Sequence, residues 1–139
     1  VVKVERRVTL EEIVRVAEKI DITKLPDDLI NKVADSKKFE DIPEDIQSFI
    51  ITAGGLLRMA REGKEKLTEE EFVEAINDFY IDILLEYNVR KGFLIRIGDW
   101  SYKTMQECRY KLTEKGKKEG KRILRELINE ENEKVRYIG

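Results

Sequence analysis

Tyr110-Lys111-Leu112-Thr113-Glu114-Lys115-Gly116 carries a change of period, from strand to helix. Tyr110 and Leu112 flank a lysine at strand spacing, and Cys108 extends the alternation upstream. Thr113 then gives a helix-start signal, because its side-chain oxygen can accept from an orphan amide of a first turn. Further upstream, Phe93, Ile95 and Ile97 alternate as well, and Gly98-Asp99-Trp100-Ser101 is a turn signal between the two runs. The pattern predicts a β-hairpin over residues 93–112 with a long, partly irregular tip. It also predicts a final helix after Thr113 with Ile123, Leu124, Leu127 and Ile128 on its buried side. Gly116 and Gly120 weaken that helix, so packing must order its first turns.

Before the hairpin the period is helical. Residues 1–8 suit a short strand or a loose arm. Thr9-Leu10-Glu11-Glu12 is a capping-box pattern opening a helix near 10–20. Pro26 suits the start of a second short helix carrying Leu29, Ile30 and Val33, followed by a polar link at 35–38. Pro43 opens a third helix with an apolar stripe of Ile46, Phe49, Ile50, Ala53, Leu57 and Ala60. Gly54-Gly55 interrupts that stripe, either for close packing of another backbone or for a kink, and Gly63 ends it. Thr68-Glu69-Glu70-Glu71 is a second capping box. The helix it starts runs to about residue 88 with Phe72, Ile76, Phe79, Tyr80, Ile83 and Tyr87 on one stripe, widened by Val73 and Leu84.

With 139 residues, one domain is the default, and 41% hydrophobic content is enough for a core. The 40% charged content exceeds a typical value of about 25%. Its Lys and Glu dominance and lack of His resemble an archaeal or thermophilic composition, in which ion-pair networks lose less to desolvation. A highly charged helical protein from any source is the alternative. Cys108 is the one cysteine, which excludes an internal disulfide and suits a reducing, cytoplasmic setting. No apolar run approaches the ~20 residues of a membrane span, and no signal-peptide pattern is present.

The net charge of −2 hides a segregation. Residues 90–125 hold twelve Lys and Arg against four Asp and Glu, whereas residues 1–89 hold thirteen against twenty-one. A concentrated cationic region attracts polyanions over a Debye length of roughly 8 Å.

Helices, then a hairpin, then a closing helix introduced by Tyr110, Leu112, Thr113, Glu114, Lys115 and Gly116, resemble a winged-helix domain. The chain is most similar to winged-helix transcription regulators of the MarR and PadR kind, and Gly92-Phe93-Leu94 resembles the approach to their first wing strand. The resemblance covers about residues 44–128, and its specific part is about ten residues long. It implies a mainly α fold with one β-hairpin (α+β), winged-helix-like, with additional N-terminal helices. On that reading residues 1–40 form a helical extension packed on a main domain of 41–139. It also implies a homodimeric regulator that binds double-stranded DNA. One departure matters. The helix before the wing normally enters the major groove. Here its polar side holds Glu69, Glu70, Glu71, Glu74, Asp78, Asp82 and Glu86, which phosphates repel.

The candidate nucleic-acid contacts are therefore Arg90, Lys91, Arg96, Lys103, Arg109, Lys111, Lys115, Lys117, Lys118 and Lys121, with Trp100 and Tyr102 as stacking rings near the tip. Arg96, Lys103, Arg109 and Lys111 are expected to point outward, and Arg122 and Arg125 add to the last helix. The competing reading is that these cations pair with acidic helices of the same chain or a second subunit, and that Trp100 only packs the hairpin. An interaction module that assembles with itself or a protein partner is the alternative function. Enzymatic readings are weak. Without His the commonest general base and metal ligand is missing, and Cys108 has no partner for thiol chemistry. Asp78 and Asp82 share a helix face, but such spacing is far more often plain surface. No cofactor or metal is expected.

Overall fold

The structure, a computed structural model, describes residues 8–138. The strand or arm expected at the very start lies, apart from Val8, outside the described residues. The order is α1 (Leu10–Glu18), α2 (Asp27–Asp35), α3 (Glu44–Glu62), α4 (Glu69–Arg90), β1 (Leu94–Ile97), β2 (Arg109–Leu112) and α5 (Glu114–Ile138), with single 3-10 turns at Ile22–Lys24 and Phe39–Asp41. This is the mainly α, single-hairpin class expected from sequence.

Both expected helix starts are capped by a threonine. Thr9 Oγ1 accepts from the Glu12 amide at 3.2 Å. Thr68 and Glu71 close a reciprocal capping box with two bonds of 3.1 Å, so α4 begins where its sequence says. It then continues unbroken to Arg90 and is not divided into two shorter helices. Gly63 ends α3 in the left-handed conformation, at φ 67°.

The centre of the fold is the antiparallel pair α3–α4, with α1 lying on α3 and α2 on α4. Gly54 is there because the backbones nearly touch. A Cβ at that position would sit 3.0 Å from both the Ala75 carbonyl oxygen and the Ile76 Cα. Of the two readings open from sequence, close approach is the one realised. Ile13, Ala17, Ile22, Ile30 and Val33 from the N-terminal helices are buried with Ile50, Leu57, Phe79 and Ile83 in one cluster. Val73, placed on the stripe by its spacing, is 59% exposed instead.

The hairpin is antiparallel, pairing Leu94 with Leu112, Ile95 with Lys111, Arg96 with Tyr110, and Ile97 with Arg109. Side chains of paired residues share a face. Leu94, Arg96 and Tyr110 therefore turn toward α4, while Ile95, Ile97, Arg109 and Lys111 turn away. The expected outward direction of Arg96 is reversed, and the exposure of Ile95 and Ile97, 54% and 51%, is the counterpart of that reversal. Residues 98–108 form no strand. They fold back onto the core and bury Trp100, Tyr102 and Met105.

The largest correction concerns α5. Ile123, Leu124, Leu127 and Ile128 were expected to be buried, yet they are 44–58% exposed. Among the described residues the helix is anchored at its start. Thr113 Oγ1 accepts from the Gly116 amide at 3.0 Å and donates to the Gly92 carbonyl at 2.6 Å. Gly116 lies so close to the Phe93 carbonyl that no side chain fits there. The whole of α5 is about 37 Å long at 1.5 Å per residue, and its residues 121–134 are all exposed.

Candidate nucleic-acid interface

The cationic region divides into side chains that hold the fold and side chains that face solvent. Arg90 and Arg96 belong to the first group. Glu86, with a side chain only 4% exposed, receives Arg90 Nε at 2.6 Å and an Arg96 terminal nitrogen at 2.8 Å. Arg90 also bonds Asp27 at 2.7 Å and the carbonyls of Ile22 and Thr23. Arg96 donates to the Tyr110 hydroxyl at 3.3 Å. One network thus ties α2, α4 and the hairpin together. Neither arginine is available to a phosphate, which removes both from the candidate contacts.

Glu86 is itself a correction, since the sequence placed it on the solvent side of α4. The signal was legible. Position 86 follows Phe79 by seven residues and Ile83 by three, so it sits on the apolar stripe. A carboxylate there needs cationic partners, and Arg90 one turn later is the obvious one.

Trp100 and Tyr102 are also withdrawn from the candidate set. They are 7% and 8% exposed, and no base can stack on them in this conformation. The Trp100 ring packs 6.3 Å from that of Phe79, and its Nε1 donates to Asp82 at 2.9 Å. The packing reading of Trp100 is the one that holds. Asp82 lines a cleft of about 480 Å³ between α4 and the tip, with Asp78, Ile81, Met105, Cys108 and Tyr110. Burial, reinforced by the nearby Asp78 charge and opposed by the Trp100 bond, lifts the Asp82 carboxyl to about 6. Burial also pushes the Cys108 thiol up, which disfavours a thiolate nucleophile there.

The second group remains open. Lys91, Lys103, Arg109, Lys111, Lys115, Lys117, Lys118 and Lys121 are all exposed. Lys117 pairs with Glu114 and Arg122 with Glu119 and Glu126. Among the described residues no carboxylate holds Lys91, Lys103, Arg109, Lys111, Lys115, Lys118 or Lys121. Lys115 instead donates to the Lys91 carbonyl at 2.8 Å and lies over the Phe93 ring, which fixes the start of α5 against the hairpin. Arg109 and Lys111 stand on the outward face beside Ile95 and Ile97. On α4, Glu69, Glu70 and Glu74 stay exposed, so its polar side keeps an acidic stretch. No helix among the described residues is long and apolar enough to cross a membrane. No protein-family model, curated protein or solved structure matches this chain.

Proposed function

We propose that the chain is a DNA-binding regulator of winged-helix type that grips the phosphate backbone with the outer face of its hairpin and the first half of α5. The observation that carries this reading is the run of exposed cations Arg109, Lys111, Lys115, Lys118 and Lys121 across the β2–α5 junction, none of them in an ion pair among the described residues. Phosphate contacts of this kind supply affinity and register but no sequence code. The acidic first turns of α4 argue against groove reading by that helix, so contact is mainly with the backbone.

Anisotropy titration of a labelled duplex at about 50 and 200 mM salt tests the proposal. Each phosphate neutralised steepens log K against log salt by roughly 0.9, so replacing both Arg109 and Lys111 by Ala should flatten the slope by about 2. Absence of duplex binding at the lower salt would refute it.

A second reading, a protein-assembly module, is favoured by a separate observation. Four apolar side chains of α5 are half exposed on one face, and contiguous apolar surface of this kind marks association sites.

A further inference from the structure

The uncovered face of α5 carries information about its occupant. Ile123, Leu124, Leu127 and Ile128 form one stripe by helical spacing, and Gly120 and Glu131 continue it at either end. Charge runs along the helix with a strong polarity. Residues 114–125 hold six cations against two carboxylates, and residues 126–134 hold four carboxylates against one cation. Two such helices side by side and parallel set like charge on like, whereas antiparallel they set each cationic half on an acidic half.

Gly120 gives an independent indication. Gly116 is demanded by the Phe93 carbonyl, but a Cβ at Gly120 would meet nothing within 4 Å. A helix-interior glycine costs about 1 kcal/mol against alanine, and nothing in the chain's own fold explains this one. Gly120 also lines a groove of about 530 Å³ with Phe93, Leu94, Leu112 and Ile123. That groove is continuous with the stripe and lies beside the cationic half of α5.

We infer that α5 pairs antiparallel with α5 of a second copy, around a two-fold axis between residues 125 and 126. The inference gives the assembly reading its partner. The arrangement sets Leu124 beside the partner's Leu127 and Ile123 beside the partner's Ile128. It brings the partner's Glu131 over Gly120, where space is open. The interface is isologous, so it closes at a dimer. Lys115 and Lys118 lie on the far side of the helix from the stripe, and Arg109 and Lys111 lie on the hairpin. The pairing leaves these four proposed phosphate contacts accessible, while Lys121, seven residues before Ile128, flanks the stripe.

Sedimentation of the full chain from about 1 to 100 μM should show twice the 16.4 kDa monomer mass. Leu124→Glu, at a position exposed in the monomer, should raise the dissociation constant at least about 100-fold without loss of helical signal. Orientation is read separately by cross-linking under a mild oxidant in a Cys108→Ser background. Chains carrying Gly120→Cys should cross-link with chains carrying Glu131→Cys and not with themselves. A chain that stays monomeric overturns the pairing, as does a dimer unaffected by Leu124→Glu. Self-cross-linking of either single-cysteine chain overturns the antiparallel arrangement. The duplex titration judges phosphate contact on its own, because the Leu124→Glu chain retains every cation assigned to it.

Discussion

Replacing Glu86 by Gln should be among the most damaging changes that keep side-chain shape. The carboxylate is almost wholly buried and receives two charge-assisted bonds, 2.6 Å from Arg90 and 2.8 Å from Arg96. Gln offers one accepting oxygen and an amide that presents donors to the other guanidinium, so one arginine loses its partner. Arg90 keeps Asp27 and two carbonyls, and it is the more exposed of the two. Arg96 keeps the longer bond to Tyr110 and its place over that ring, and has a side chain 9% exposed. Its guanidinium is the charge left without a bonded carboxylate. Breaking a buried pair from one side costs about 3–5 kcal/mol, and the surviving Arg90 contacts argue for the lower half of that range. For a domain of this size the loss corresponds to a fall in Tm of roughly 10–15 °C. Urea unfolding followed by far-ultraviolet circular dichroism would measure it. Trp100 fluorescence in the same titration would report whether the tip loosens first. A double change, Glu86→Leu with Arg96→Met, removes charge and countercharge together and should recover most of the loss. A loss below about 1 kcal/mol for Glu86→Gln would mean that the network is not an energetic keystone, and the reasoning would fail.

Asp82 gives a pH signature. Its carboxyl sits at about 6 in the folded chain against an ordinary 3.8, so the folded state holds a proton that the unfolded state has released. This contribution favours the fold below about pH 4 and is lost as pH rises through about 6, a change of at most ~3 kcal/mol. The difference in stability between wild type and Asp82→Asn, measured across that window, should shrink as pH falls. An unchanged difference would contradict the burial argument. Gly54→Ala should destabilise by about 1–3 kcal/mol in thermal melts despite the better helix propensity, because the methyl group meets the α4 backbone at 3.0 Å. Trp100→Phe keeps the contact with Phe79 but strands the Asp82 acceptor, and should cost about 1–2 kcal/mol in the same melts.

Local signals placed the elements well because each reports on backbone groups next to it in sequence. The side-chain cap at Thr9, the capping box at Thr68, the left-handed stop at Gly63 and the strand-to-helix switch at Thr113 all form where the residues indicate. What was not legible depends on distant partners. Spacing showed that α5 has an apolar face but could not say what covers it, and in the isolated chain nothing does. Alternation showed that residues 94–97 form a strand but not which alternate set turns inward. An outward Arg96, as expected from sequence, would turn Ile95 and Ile97 inward. The buried Glu86 reverses the phase, because a carboxylate facing the inner side of the hairpin selects Arg96 over an isoleucine. The same event explains the rings at the tip, which sequence left divided between stacking and packing. Asp82 and Phe79 offer a hydrogen bond and a ring contact on α4, and the tip folds down onto them.

The phase of β1 also links stability to function. Side chains alternate with a period of two, so shifting the pairing by one residue exchanges the two faces of a strand. With Arg96 anchored inward on Glu86, the inner face of the hairpin is committed to the fold. Arg109 and Lys111 are then obliged to stand on the outer face, next to the cations that begin α5. The acid that removes two arginines from the candidate interface is thus the one that orients the rest of it. The charge-free double change at positions 86 and 96 separates the two roles. It should preserve the fold through apolar packing, with the outer face and the salt slope of duplex binding unaltered. A flattened slope in a chain of wild-type stability would show that the network contributes to binding beyond holding the hairpin in register.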